Sequence, residues 1–78
     1  MRIHKEAERI NDDIDGEALS VLHDVAHGGM LQAHFQDDPS GPSLSWLLKR
    51  GCVIVEPSGL LRTTPIGRLV LDFADVLG

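Results

Sequence analysis

The stretch Leu44-Ser-Trp-Leu-Leu-Lys-Arg-Gly-Cys-Val-Ile-Val-Glu-Pro-Ser-Gly-Leu-Leu-Arg-Thr-Thr-Pro-Ile-Gly-Arg68 spells a short helix, a tight hairpin and the opening of a second helix. Ser43 offers a hydroxyl to cap a helix over 43–51, and Gly51 supplies the positive φ that closes it. Leu44, Leu47 and Leu48 form the buried side of that helix, which turns Trp46, Lys49 and Arg50 away from the core. Two apolar runs, 52–55 and 60–63, flank Glu56-Pro57-Ser58-Gly59. Proline at the second turn position and glycine at the fourth suit a type I turn followed by a left-handed residue. Thr64-Pro65 then reads as cap and first residue of a closing helix over about 65–76. Ile66, Leu69, Val70, Phe73, Ala74 and Leu77 face inward on it, and Leu71 and Val76 fall on another side.

Upstream of this stretch the signals are of the same kind. Asp15 stands before a helix expected over 16–27, where its carboxylate can accept from the orphan N–H groups of the first turn. Glu17 complements the positive end of the dipole, and Ile14 is placed to staple onto Leu19. Ala18, Leu19, Leu22, Val25 and Ala26 recur at three and four residues, and Gly28-Gly29 stops the run. Met30, Leu31, His34 and Phe35 suggest a second helix of about two turns. Residues 37–42, with two prolines and a glycine, form a loop. Residues 1–12 carry Ile3, Ala7 and Ile10 at helical spacing among charges, the pattern of a marginal helix or a frayed arm.

Seventy-eight residues with 42% hydrophobic content suit one small domain. Cys52 is the only cysteine, so an internal disulfide is excluded, which fits a reducing compartment. No apolar leader and no membrane-length apolar window is present, and a soluble cytoplasmic protein without membrane association is expected. The net charge of −5 is unevenly spread: residues 1–10 sum to +1, residues 11–38 to −7, residues 39–71 to +3, and Asp72 with Asp75 add −2. A basic face in the second half can meet phosphate while the acidic first half is screened over a Debye length of about 8 Å. The acidic surface equally serves solubility.

The spacing Leu44-x2-Leu47-x3-Gly51, the hairpin, and Thr64-Pro65-x-Gly67-Arg68 together resemble the winged-helix superfamily, in particular the multiple-antibiotic-resistance and phenolic-acid-response regulators, over residues 43–75. The resemblance implies a small α+β winged-helix domain of three helices, a two-stranded hairpin wing and a C-terminal helix. It implies duplex DNA as partner, with Ser43, Ser45, Trp46, Lys49 and Arg50 on the recognition helix and Arg62 and the tip 57–59 on the wing. Arg68 falls at the base of the closing helix. It also implies a homodimer through terminal helices, for which Leu71 and Val76 supply spare apolar surface.

The same residues support a second function on the same fold. Asp37 and Asp38 stand before the recognition helix, where the resembled regulators carry a short polar and basic turn, and carboxylates there repel phosphate. Lys49 and Arg50 also complement the C-terminal dipole of their helix, and Trp46 can cover the edge of a small core or anchor a partner. An acidic winged-helix module that binds a protein is the alternative expectation. His23 and His27 stand four apart, the spacing of two imidazoles on one metal, but no third ligand follows at a recognised spacing. Cys52, at a strand start between Gly51 and Val53, reads as a buried apolar residue rather than a nucleophile. No glycine spacing suited to a phosphate cradle is present. Neither enzymatic activity nor a cofactor is expected.

Overall fold

A computed structural model describes residues 2–36, 38 and 40–77, with side chains from residue 4 to residue 75. Asp37, Pro39 and the side chains of Ile3, Val76 and Leu77, which enter the expectations above, lie outside the described residues. The described chain is a small α+β structure: α1 (Arg2–Asp13), α2 (Gly16–His27), α3 (Gly41–Lys49), β1 (Val53–Val55), β2 (Leu61–Thr63) and α4 (Pro65–Leu77), with a 3₁₀ turn at Gln32–Phe35. None of its helices is long and apolar enough to cross a membrane.

The N-terminal segment is a full twelve-residue helix, not a frayed arm. A helix of that length is marginal in water and needs a partner to bury its apolar side. α1 finds one in α4, and Ala7 and Ile10 are buried. α2 matches its expected bounds. The Asp15 carboxylate accepts from the Ala18 N–H at 2.7 Å, and Gly28, at φ 93°, donates its N–H to the Val25 carbonyl. Val21 joins Ala18, Leu22 and Val25 inside, while Leu19 and Ala26 are only half-buried.

The expected two-turn helix after Met30 is replaced by extended backbone and a single 3₁₀ turn. Leu31 pairs with Leu60; Leu61 donates to the Met30 carbonyl and Gln32 donates to the Gly59 carbonyl, both at 2.9 Å. Backbone groups that an α-helix would have used are thus spent on the hairpin, and helical bonding begins only at His34, whose N–H reaches the Leu31 carbonyl.

α3 begins at Gly41, two residues before the expected cap. Ser40 is the capping residue by position without a side-chain bond, and Ser43 lies inside the first turn. Pro42 explains the shift: it needs no N–H partner there and its fixed φ suits a first turn, so the helix extends back across it. Asp38 secures the entry, accepting from Ser40 N at 2.8 Å through its carboxylate and from Gly41 N at 2.9 Å through its carbonyl.

β1 and β2 pair antiparallel with Val53 opposite Thr63, Ile54 opposite Arg62 and Val55 opposite Leu61. The turn is the expected one: Gly59 donates to the Glu56 carbonyl at 2.8 Å and has φ 90°. Each strand is three residues long, one fewer than expected: Cys52 gives its N–H to Leu47 and its carbonyl accepts from Thr64, while Leu60 accepts from the Glu56 N–H and bridges Leu31. The Thr64 hydroxyl accepts from Gly67 N and donates to the Gly51 carbonyl, tying the end of α3 to the start of α4.

Leu22, Leu47, Leu61, Val53, Val70 and Cys52 are the largest fully enclosed side chains, and Ala7 of α1 is fully enclosed too. Leu71 is buried too, contrary to its expected place on a spare face. α4 packs against α1, α2 and β2.

Candidate nucleic-acid interface on α3 and the hairpin

α3 and its C-cap Arg50 carry five of the six expected contact residues, and helical geometry sorts them into rows. Ser45 and Lys49, four apart, are both exposed. Ser43, Trp46 and Arg50 form the adjoining row, with Ser43 and Trp46 half-buried and Arg50 exposed. The Arg50 guanidinium lies over the Trp46 ring, 5.2 Å from its centroid. At that distance the indole quadrupole attracts the cation and limits its rotamers.

Trp46 is therefore not turned away from the core as its spacing suggested. It packs against the buried cluster. The junction of α1 and α2 approaches α3 from that side, and Asp13, Asp15, Ala18, Pro42, Ser43 and Trp46 enclose a notch of about 180 Å³. The notch thus lies on one flank of the indole, and the other flank carries Arg50. Leu48, expected inside, is half-buried.

Arg62 stands apart from this row, on β2. Its Nη1 donates to the Glu56 carboxylate at 2.9 Å in an ion pair whose arginine side chain is 64% exposed. Such an exposed pair contributes about 0.2–1 kcal/mol, so it directs the arginine without locking it. Glu56 thus belongs to this surface, although along the chain it stands out only as a charge. It lies two residues beyond Ile54, the register partner of Arg62, so the hairpin register was the available signal.

The outward side of the hairpin also carries Ile54, 52% exposed, and Leu31, 37% exposed, the two large hydrophobic residues most open to solvent among those described. Val53-Ile54-Val55 is continuously apolar, and nothing in residue type marks the middle residue as the one that faces out. Arg68 is exposed on the first turns of α4.

The other candidate chemistry is placed as follows. His27 points Nδ1 at the His23 carbonyl, 3.0 Å away, a contact within α2. Among the described residues, no three His, Cys, Asp or Glu side chains group in a way that could hold a metal ion. Cys52 is fully buried, and burial pushes its thiol up to about 11 against the opposing pull of Arg50. A thiol so held stays protonated near neutral pH and is a poor nucleophile.

No protein family, curated protein or solved structure matches this chain.

Proposed function

We propose that this chain is a winged-helix domain that binds duplex DNA, with α3 as the groove-facing helix and the β1–β2 hairpin as the wing. The observation that carries the reading is the outward surface of α3: Ser45, Lys49 and Arg50 are exposed on one nine-residue helix and its C-cap, and a hairpin bearing Arg62 follows directly. Helix, hairpin and closing helix occur in the order of the resembled regulators. Small polar and long cationic side chains on a helix match what base edges and phosphates require. The short 3₁₀ turn before α3 stands where a helix-turn-helix has its first helix, which concentrates the contacts on α3 and the hairpin.

The test is the salt dependence of binding to a generic duplex. Binding at about 50 mM salt is expected, and replacing Lys49, Arg50 and Arg62 together by alanine flattens the log–log slope by about 0.9 for each phosphate no longer neutralised. Absence of binding at that salt overturns the reading.

The exposed Ile54 and Leu31, with Arg62 already paired to Glu56, favour a second reading: the hairpin face and the acidic first half engage a protein. Under it the triple alanine variant binds its partner unchanged, whereas Ile54→Lys or Asp38→Asn weakens binding.

A further inference from the structure

We infer that Trp46 serves DNA binding as a positioning residue for Arg50 and not as a contact residue; the inference rests on the duplex-DNA reading. Both flanks of the indole are accounted for. On the flank toward the start of α3, Asp13, Asp15, Pro42 and Ser43 line the notch beside the ring, and with the Asp15 carboxylate spent on the Ala18 N–H this flank offers a phosphate acidic residues and no cation. Toward the end of α3, the guanidinium of Arg50, four residues on, lies over the ring. A nucleic acid arriving at this row meets the guanidinium first, since Arg50 is exposed and Trp46 is half-buried against the core.

The arrangement suits Arg50 for phosphate. A free arginine side chain gives up rotamer freedom when it binds, and one already stacked on a fixed ring has given up part of it beforehand. The ring is fixed because Trp46 packs against the buried cluster. Stacking leaves the cation its charge and its donors at the edge of a planar fork, the geometry that a phosphate accepts. Removing the ring therefore lowers affinity without removing a charge, and this separates a platform from a direct contact.

The experiment is a titration of a labelled duplex of about 20 base pairs, followed by fluorescence anisotropy over about 50–200 mM salt, with wild type, W46L, W46F, W46M, R50A and the W46L/R50A and W46M/R50A double variants. The expected result has four parts. W46L binds about two- to fivefold more weakly with an unchanged salt slope. W46F, which keeps a ring beneath the guanidinium, recovers most of that loss. R50A lowers affinity and flattens the slope by about 0.9. The W46L/R50A double variant binds no more weakly than R50A alone, because the platform has nothing left to hold.

Losses that multiply in the double variant, or W46L binding like wild type, overturn the inference while leaving the functional reading intact. Wild type that fails to bind at about 50 mM salt overturns both. Should W46L prove unfolded by circular dichroism, W46M takes its place in the cycle with R50A, since methionine fills the site without an aromatic face. A loss in W46M that disappears in the R50A background supports the platform, and losses that multiply, or W46M equal to wild type, overturn it.

Discussion

A β-carbon built on Gly67 would stand 2.2 Å from the carbonyl oxygen of Cys52, backbone against backbone where α4 meets the residue before β1. No rotamer can relieve that contact, so Gly67→Ala must displace α4 or the strand start. A destabilisation of about 1–3 kcal/mol is expected, read as a lower urea midpoint. Gly16 is the control: a β-carbon there meets nothing within 4 Å and the backbone needs no left-handed conformation, so Gly16→Ala raises stability by about 0.4–1 kcal/mol. Cys52, whose carbonyl makes that contact, also gives a pH dependence. Its thiol ionises near 9.0 when unfolded and near 11 when folded, so between these values the unfolded chain binds fewer protons and folding stability falls as pH rises. Below about pH 9 the contribution is fully present. Urea midpoints measured from about pH 8 to 11 on wild type and Cys52→Ala should diverge across that window, and a parallel pair of curves would refute the assignment.

At the scale of elements, α4 shows what local patterning conveys and what it omits. Its start at Thr64-Pro65 was legible because capping is a local property, and the hairpin turn was legible because Pro57 and Gly59 fit only a few turn geometries. The same holds for α2 and its Asp15 cap. Features that depend on a distant partner were not legible. α1 is a helix because α4 covers Ala7 and Ile10, and Leu71 is buried because α4 has neighbours on several sides. Met30 and Leu31 carry helical spacing yet run extended, since the hairpin takes their backbone groups. For the candidate interface, the exposure of Ser45, Lys49 and Arg50 followed from the Leu44/Leu47 face. The placement of Trp46 beside Asp13 and Asp15 depended on how α2 meets α3, which no spacing along α3 encodes. Leu71→Ala distinguishes a core residue from a dimer contact: it costs about 2–5 kcal/mol in urea denaturation and leaves the sedimentation coefficient unchanged. Retained stability with altered sedimentation would return Leu71 to an interface between copies.

Across the whole molecule, charge is unevenly spread, although α1 also carries Lys5 and Arg9, the hairpin turn Glu56 and α4 Asp72 and Asp75. Asp12, Asp13, Asp15, Glu17 and Asp24 belong to α1, α2 and their junction, whereas Lys49, Arg50, Arg62 and Arg68 belong to α3, the hairpin and the start of α4. The apolar cluster holds no buried polar or charged side chain among the described residues. The proposed function lies on the surface of α3 and the hairpin. A protein with net charge −5 meets DNA only where its cations are gathered, and salt within the physiological range shortens the reach of the remaining acids. The most direct measurement is a ¹⁵N-resolved NMR titration of the folded chain with a short duplex at low salt. The account predicts shift changes concentrated in 43–50 and 53–63, with α1 and the exposed side of α2 unmoved. Changes centred on residues 12–24, or no changes at all, would contradict it.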